Sequence, residues 1–178
     1  MADKSYRLER PDINPEQSFL EKLLQIVCAL ILTAQLVFLF ISWRSLPVQI
    51  PNHFDFFGNP DSYGGKSRLL MEPILSVGLY AVLTVLERFP RIYNYSSIKI
   101  NELNAPFMYQ NAREMMVVLK TEIVVMFSYL ALATVETARH AWRGTSPWFL
   151  IAVVLVLCAT TAYYIIRMIK HKDNPHII

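Results

Sequence analysis

The sequence predicts an all-α membrane protein: a bundle of four transmembrane helices with a structured extracytoplasmic loop after the first helix and both termini in the cytoplasm. Three observations lead there. The composition is 54% apolar and only 17% charged, well below the roughly 25% charge of soluble domains. The apolar residues gather into four runs of about the length that crosses a hydrocarbon core of roughly 30 Å. Lysine and arginine alternate in abundance from one connecting segment to the next, which is how membrane proteins encode orientation. A single membrane domain, 1–178, is expected.

The first span, about 23–43, is uncharged and ends at Trp43 and Arg44, an interfacial anchor followed by a cation. The second, about 69–87, carries Glu72 near its start and is closed by Glu87, Arg88 and Pro90. The third, about 119–138, has a shorter uncharged stretch. Lys120, Glu122 and Glu136 stand near its ends, where long side chains reach polar surroundings. Asn104 followed by Pro106 reads as an N-cap with an early helical proline, so this helix starts well before the membrane, within the cytoplasmic loop 88–118. The fourth, about 147–168, opens with Pro147-Trp148 and ends with Tyr163-Tyr164 before Arg167 and Lys170. Of the seventeen Lys and Arg, twelve fall on the side of the termini and the middle loop and five on the side of 44–68 and 139–146. The excess assigns the former side to the cytoplasm.

The loop 44–68 holds three of the five glycines, Gly58, Gly64 and Gly65, and the prolines Pro47, Pro51 and Pro60. Glycine admits positive φ and proline fixes φ, so a compact, repeatedly turned cap is expected in place of a tether. The residues Leu46-Pro47, Ile50-Pro51, His53-Phe54, Gly58, Asp61, Tyr63-Gly64 and Lys66, with Arg88-Phe89-Pro90 and Tyr93-Asn94-Tyr95 after the second span, closely resemble the SdpI-like family of small bacterial membrane proteins. The namesake of that family gives immunity to, and signals the presence of, a sporulation-delay peptide toxin. The resemblance implies a four-span unit in the bacterial plasma membrane that responds to an extracytoplasmic ligand, a peptide toxin or a lipid-like molecule. Asp55 stands where the family loop commonly has asparagine, and the chain after Tyr95 departs from the family's proline-containing continuation.

Pro51, His53, Phe54, Asp55, Gly58, Asp61, Tyr63, Gly64 and Lys66 are therefore the candidate ligand-binding or loop-structuring residues. His53, Asp55 and Asp61 are metal-ligand candidates by residue type alone, with no established metal signature around them. The plainer expectation is that Asp61 pairs with Lys66 while His53 and Asp55 hold turn amides. A second set is intramembrane: Glu72, Glu87, Lys120, Glu122, Tyr129 and Glu136. Glu122, Tyr129 and Glu136 recur every seven residues and share one helix face, which suits an ion pathway or the snorkelling of end residues. Glu87 and Lys120 are expected near the inner interface, where an exposed pair contributes little.

No nucleophile elbow, phosphate loop or dinucleotide pattern occurs, so neither an enzyme nor a cofactor is expected. Cys28 and Cys158 lie in apolar runs and read as packed core residues. The net charge of +3 is too small and too scattered for a nucleic-acid partner. The expected partner is the lipid bilayer itself. A non-enzymatic receptor or immunity protein is the first expectation. A small transporter, as a homo-oligomer, using the glutamate stripe is the second, and a structural accessory subunit the third.

Overall fold

The computed structural model describes residues 10–95 and 98–172. Lys4 and Arg7, which enter the orientation count, and Ser96 and Ser97 lie outside the described residues. Four helices are long and apolar enough to cross a membrane: α1, Phe19–Ser42; α2, Met71–Leu86, led in by the 3₁₀ turn Lys66–Leu70; α3, Ala105–Ala138; and α4, Phe149–Lys170. The chain is thus a mostly helical, multi-pass membrane protein. A two-stranded antiparallel hairpin, β1 Gln49–Phe54 and β2 Pro60–Gly65, connects α1 to α2.

Helix α1 begins earlier than its uncharged run because Ser18 and Glu21 form a capping box. The Ser18 hydroxyl accepts the Glu21 amide at 3.2 Å and the Glu21 carboxylate accepts the Ser18 amide. Helix α3 does start immediately after Asn104, but Asn104 is no side-chain cap. Its Oδ1 accepts the Asn101 amide at 2.9 Å and its Nδ2 donates to the Lys99 carbonyl at 2.9 Å. The Asn101 Oδ1 in turn takes the amides of Leu103 and Asn104, each at 3.0 Å. An Asx turn one step upstream has captured the polar groups that a cap would use. Pro147 precedes α4 in a turn closed by the Phe149 amide on the Ser146 carbonyl at 3.0 Å.

α3 is the central helix, packed against α1, α2 and α4, whereas α1 and α2 touch each other far less. Cross-helix bonds fix the directions. Arg113 meets Glu21 and Ser128 meets Gln35, so α1 and α3 run parallel. Lys120 meets Glu87 at one end of α2 and Thr134 meets Glu72 at the other, so α2 is antiparallel to α3. Asn111 meets Tyr164 and Tyr129 meets Phe149, so α4 is antiparallel too. Cys28 is buried at the α1–α3 contact, its thiol 3.3 Å from the Thr121 hydroxyl. Cys158 is exposed on the outer face of α4, contrary to the core position expected, because only one side of α4 has a helix to pack on. Large apolar side chains such as Phe40, Leu30, Ile74 and Leu155 cover the outward faces, the surface that a bilayer's hydrocarbon satisfies and water does not.

At 34 residues α3 is roughly 50 Å long, and its first turns project past α2. There they meet a polar strap made by residues 10–18. Arg10 donates to the carbonyls of Arg91 at 2.9 Å and Tyr93 at 2.7 Å. The Tyr109 hydroxyl donates to the Pro11 carbonyl at 3.0 Å. The run 89–95, which suits a headgroup-level anchor by sequence, is partly folded inward. Tyr95 is 1% exposed, packs near Tyr109 and donates to the Pro90 carbonyl at 2.8 Å. Burial pushes its phenol up, and lifts Tyr93 to about 12.

Candidate functional site

The hairpin sits on one end of the bundle, and the residues predicted for a loop cap divide into those that build it and those that it presents. A lone two-stranded hairpin is marginal in water, so this one depends on its footing. Ile50, fully buried, joins Leu39, Leu46, Leu69, Ala131, Val135 and Ala138 in one apolar cluster. The strands pair Gln49 with Gly65, Ile50 with Gly64, Pro51 with Tyr63, His53 with Ser62 and Phe54 with Pro60, with register shifts on either side of His53. Prolines on both strands remove amides that would otherwise template a further strand.

At the tip, Asp55 closes the turn. Its carboxylate accepts the Asn59 amide at 2.8 Å and the Asn59 side chain at 3.2 Å. The hydrogen bond from the Asn59 amide holds the Asp55 carboxyl below the usual carboxylate range. Gly58 has φ of +84°, and its carbonyl accepts the Thr145 amide at 2.8 Å. A Cβ on Gly58 would stand 2.3 Å from the Thr145 carbonyl oxygen, and one on Gly144 would stand 2.0 Å from the Gly58 carbonyl oxygen. The hairpin tip and the 139–146 loop are therefore locked backbone to backbone. Gly64 packs against Asn52 and the Arg68 stem.

Asp61 does not pair with Lys66 as expected. Its carboxylate meets His53 Nδ1 at 2.7 Å in an exposed cross-strand pair. His53 is paired with Ser62 and Phe54 with Pro60, and the register shift between them leaves Asp61 as the extra residue that reaches His53, while Lys66 lies in the following 3₁₀ turn and turns to Trp43, 3.4 Å from its carbonyl and 5.4 Å from its ring centre. Because Asp55 is engaged at the turn and His53 with Asp61, the three metal-ligand candidates do not converge. Among the described residues no group of three or more His, Cys, Asp or Glu is arranged to hold a metal ion.

Between hairpin, α3 end and 139–146 loop lies a groove of about 400 Å³, lined by Pro47, Gln49, Pro51, Pro60 and Tyr63 on one wall and Thr137, Ala138, His140, Trp142 and Arg143 on the other. Tyr63 is 59% and Trp142 40% exposed. Phe54 is half-buried, while Phe56 and Phe57 project from the tip with their rings 5.6 Å apart and edge to face. The sequence singled out one wall; the second was missed. Its signal was the Gly144 of a short connecting loop beside Trp142 and Arg143.

The intramembrane set does not form one stripe of function. Glu122 is bonded to Thr160 of α4. Tyr129 stacks on Phe149 at 4.3 Å and lies 6.3 Å from Trp142, with its hydroxyl accepting the Ser146 amide at 3.4 Å. Glu136 pairs with Arg139 at 3.2 Å. The Glu122 and Tyr129 contacts hold α4 and its loop to α3, whereas the Glu136 pair lies within the last turn of α3 itself. Glu72 lies against Thr134, with one carboxyl oxygen buried and unpartnered.

Glu87 and Lys120, expected near one interface, are 2.7 Å apart and buried, so the condition under which such a pair contributes little does not apply. The Lys120 ammonium also donates to Gln25 at 2.9 Å and to Thr84 at 3.0 Å, and Gln25 donates to the other Glu87 oxygen. Three helices thus share a closed network, beside a polar cavity of about 630 Å³ reaching Asn14, Glu16 and Arg88. A second pair unseen in the sequence, Arg113 with Glu21 at 2.6 Å, is buried nearby, and the same guanidinium donates to the Pro15 and Glu16 carbonyls at 2.8 and 2.7 Å. A third, Arg167 with Glu114 at 2.7 Å, ties α4 to α3.

Fold and site together define a multi-pass membrane protein of four helices with a hairpin cap docked on one end. Residues 30–77 match the model of a domain of unknown function, DUF1648. The match runs from the second half of α1 through the hairpin into α2, so its whole content is the cap and the helices that carry it. No curated protein and no solved structure matches the chain.

Proposed function

We propose that this is a non-enzymatic receptor or immunity protein of the bacterial plasma membrane, recognising an amphipathic extracytoplasmic peptide in the groove under its hairpin. The observation that carries the reading is the groove itself. Prolines and the Tyr63 and Trp142 rings supply a rigid apolar floor, and His140 and Arg143 place cationic or polar groups at the same opening. Grooves lined in this way take extended peptides, with rings receiving apolar side chains and a guanidinium receiving a carboxylate. The 12-to-5 excess of Lys and Arg supports putting this end outside and both termini in the cytoplasm. The resemblance of 46–66 to the SdpI-like loop supports the choice of a peptide ligand.

The transporter reading finds less support, since Glu122, Tyr129 and Glu136 each have a packing or hydrogen-bond partner on the same side of α3. The test is deletion of the gene in its host, followed by a screen of membrane-active peptides and of ions for altered sensitivity. A peptide-specific defect is expected. A defect confined to an ion would move the assignment to transport.

A further inference from the structure

A third concavity opens sideways between the helices α1 and α2, which touch each other only lightly. This cleft, of about 630 Å³, is walled by Leu36, Phe40, Leu70 and Pro73, with Trp43 and Arg44 at its hairpin end. Leu36 to Arg44 spans about 12 Å along a helix. One leaflet of hydrocarbon is roughly half of 30 Å, so the cleft runs from headgroup level to near the bilayer midplane. Its walls are apolar along that depth and turn cationic only at the top. Arg44 is exposed and has no carboxylate partner among the described residues. The Lys66 ammonium is held over the ring of the adjacent Trp43, 5.4 Å from its centre, and among the described residues its hydrogen bond is to the Trp43 carbonyl, with no carboxylate partner.

We propose that this cleft holds one acyl chain of an anionic bilayer phospholipid, whose phosphate is bound by Arg44 with Lys66 alongside. The proposal is independent of the peptide reading, which concerns a different opening. Charge complementarity selects the headgroup: two neighbouring cations without carboxylates favour a net negative lipid over a zwitterionic one. The depth and apolar walls select the chain, which exchanges no polar contacts on entering. Trp43 marks the boundary between the two parts, the level at which interfacial indoles sit.

The test uses the full chain purified in non-ionic detergent and titrated with phosphatidylglycerol, phosphatidylcholine, or glycerol phosphate without acyl chains. Binding is read from the thermal unfolding midpoint. Phosphatidylglycerol is expected to bind about fivefold more tightly than phosphatidylcholine, the equivalent of roughly 1 kcal/mol for Arg44, the one cation in the cleft lining, and glycerol phosphate is expected to give no shift. Arg44→Gln should erase the preference, and Leu36→Trp should weaken both lipids. A measurement on the unmodified chain guards against a misfolded variant. Phosphatidylglycerol brominated on its chains should quench tryptophan emission more than the brominated choline lipid, and Trp43→Phe should remove that difference. Equal affinities, a preference that survives Arg44→Gln, a shift from glycerol phosphate alone, or quenching unaffected by Trp43→Phe would each overturn the proposal.

Discussion

Gly58 packs so closely on Thr145, and Gly144 on the Gly58 carbonyl, that neither glycine has room for a Cβ, and both hold positive φ. Gly58→Val is expected to cost about 2 kcal/mol or more through strain and the lost Thr145 bond, and Gly144→Val a similar amount. Asn52→Ala, on the exposed hairpin surface, should change stability by less than about 0.5 kcal/mol. Thermal unfolding of the three variants checks this ranking, and equal effects would remove the basis for a docked cap. Asp55 gives a pH signature. Its folded carboxyl titrates below the ordinary value of 3.8 because the Asn59 amide bonds its charged form, so the unfolded state binds the proton more readily. The contribution of Asp55 to the hairpin is therefore present above the unfolded value and lost as pH falls through the lower folded one. Hydrogen exchange at the Asn59 amide should accelerate in that acid window. Asp55→Asn, which still accepts that amide, should flatten the dependence.

At the scale of elements, the Lys120 network decides how α1, α2 and α3 stay together. Lys120→Met leaves Glu87 charged and buried, and is expected to destabilise the bundle by about 3–5 kcal/mol, whereas pairing it with Glu87→Leu should recover much of the loss. Denaturation of the single and double variants in detergent checks this. If the single change were harmless, the pair would not be the clamp described. The four helices were legible in the sequence because an apolar run of membrane length admits few other structures. The turn-rich cap was legible as compact from its glycines and prolines, but its pairing was not. Register across a hairpin with shifts on both sides of His53 is set by the docking of Ile50, a contact with residues some eighty positions away. The same limit hid the ionic network. Glu21 in the first turn of α1 and Gln25 in the second carry no local sign of their partners, because it is α3 that brings Arg113 and Lys120 opposite them. The pattern Ser18-x-x-Glu21 was a visible cap signal, but nothing local could show that its glutamate serves twice. The reading of Glu122, Tyr129 and Glu136 as one face was sound geometry. What it lacked was the neighbour, because periodicity states which residues align and not what they align against.

Over the whole molecule, the hairpin and the 139–146 loop lie at one end of the bundle, and the strap, the described residues that join α2 to α3 and the end of α4 lie at the other. Cysteines introduced at Asn59 and Ser146 are expected to react with an impermeant thiol reagent in intact cells, while one at the exposed Glu102 reacts only after permeabilisation. The reverse pattern would invert the orientation and remove the groove from any extracellular ligand. The most direct test of the central claim, that function resides in the groove under the cap, compares two sets of variants in one peptide-sensitivity assay. Tyr63→Ala and Arg143→Gln, which alter opposite walls of the groove, are expected to abolish protection while the protein stays folded and in the membrane. Glu122→Gln, which preserves size and the hydrogen bond to Thr160 but removes the charge, is expected to be mild. Full protection in both groove variants together with its loss in Glu122→Gln would contradict the account and locate function inside the bundle.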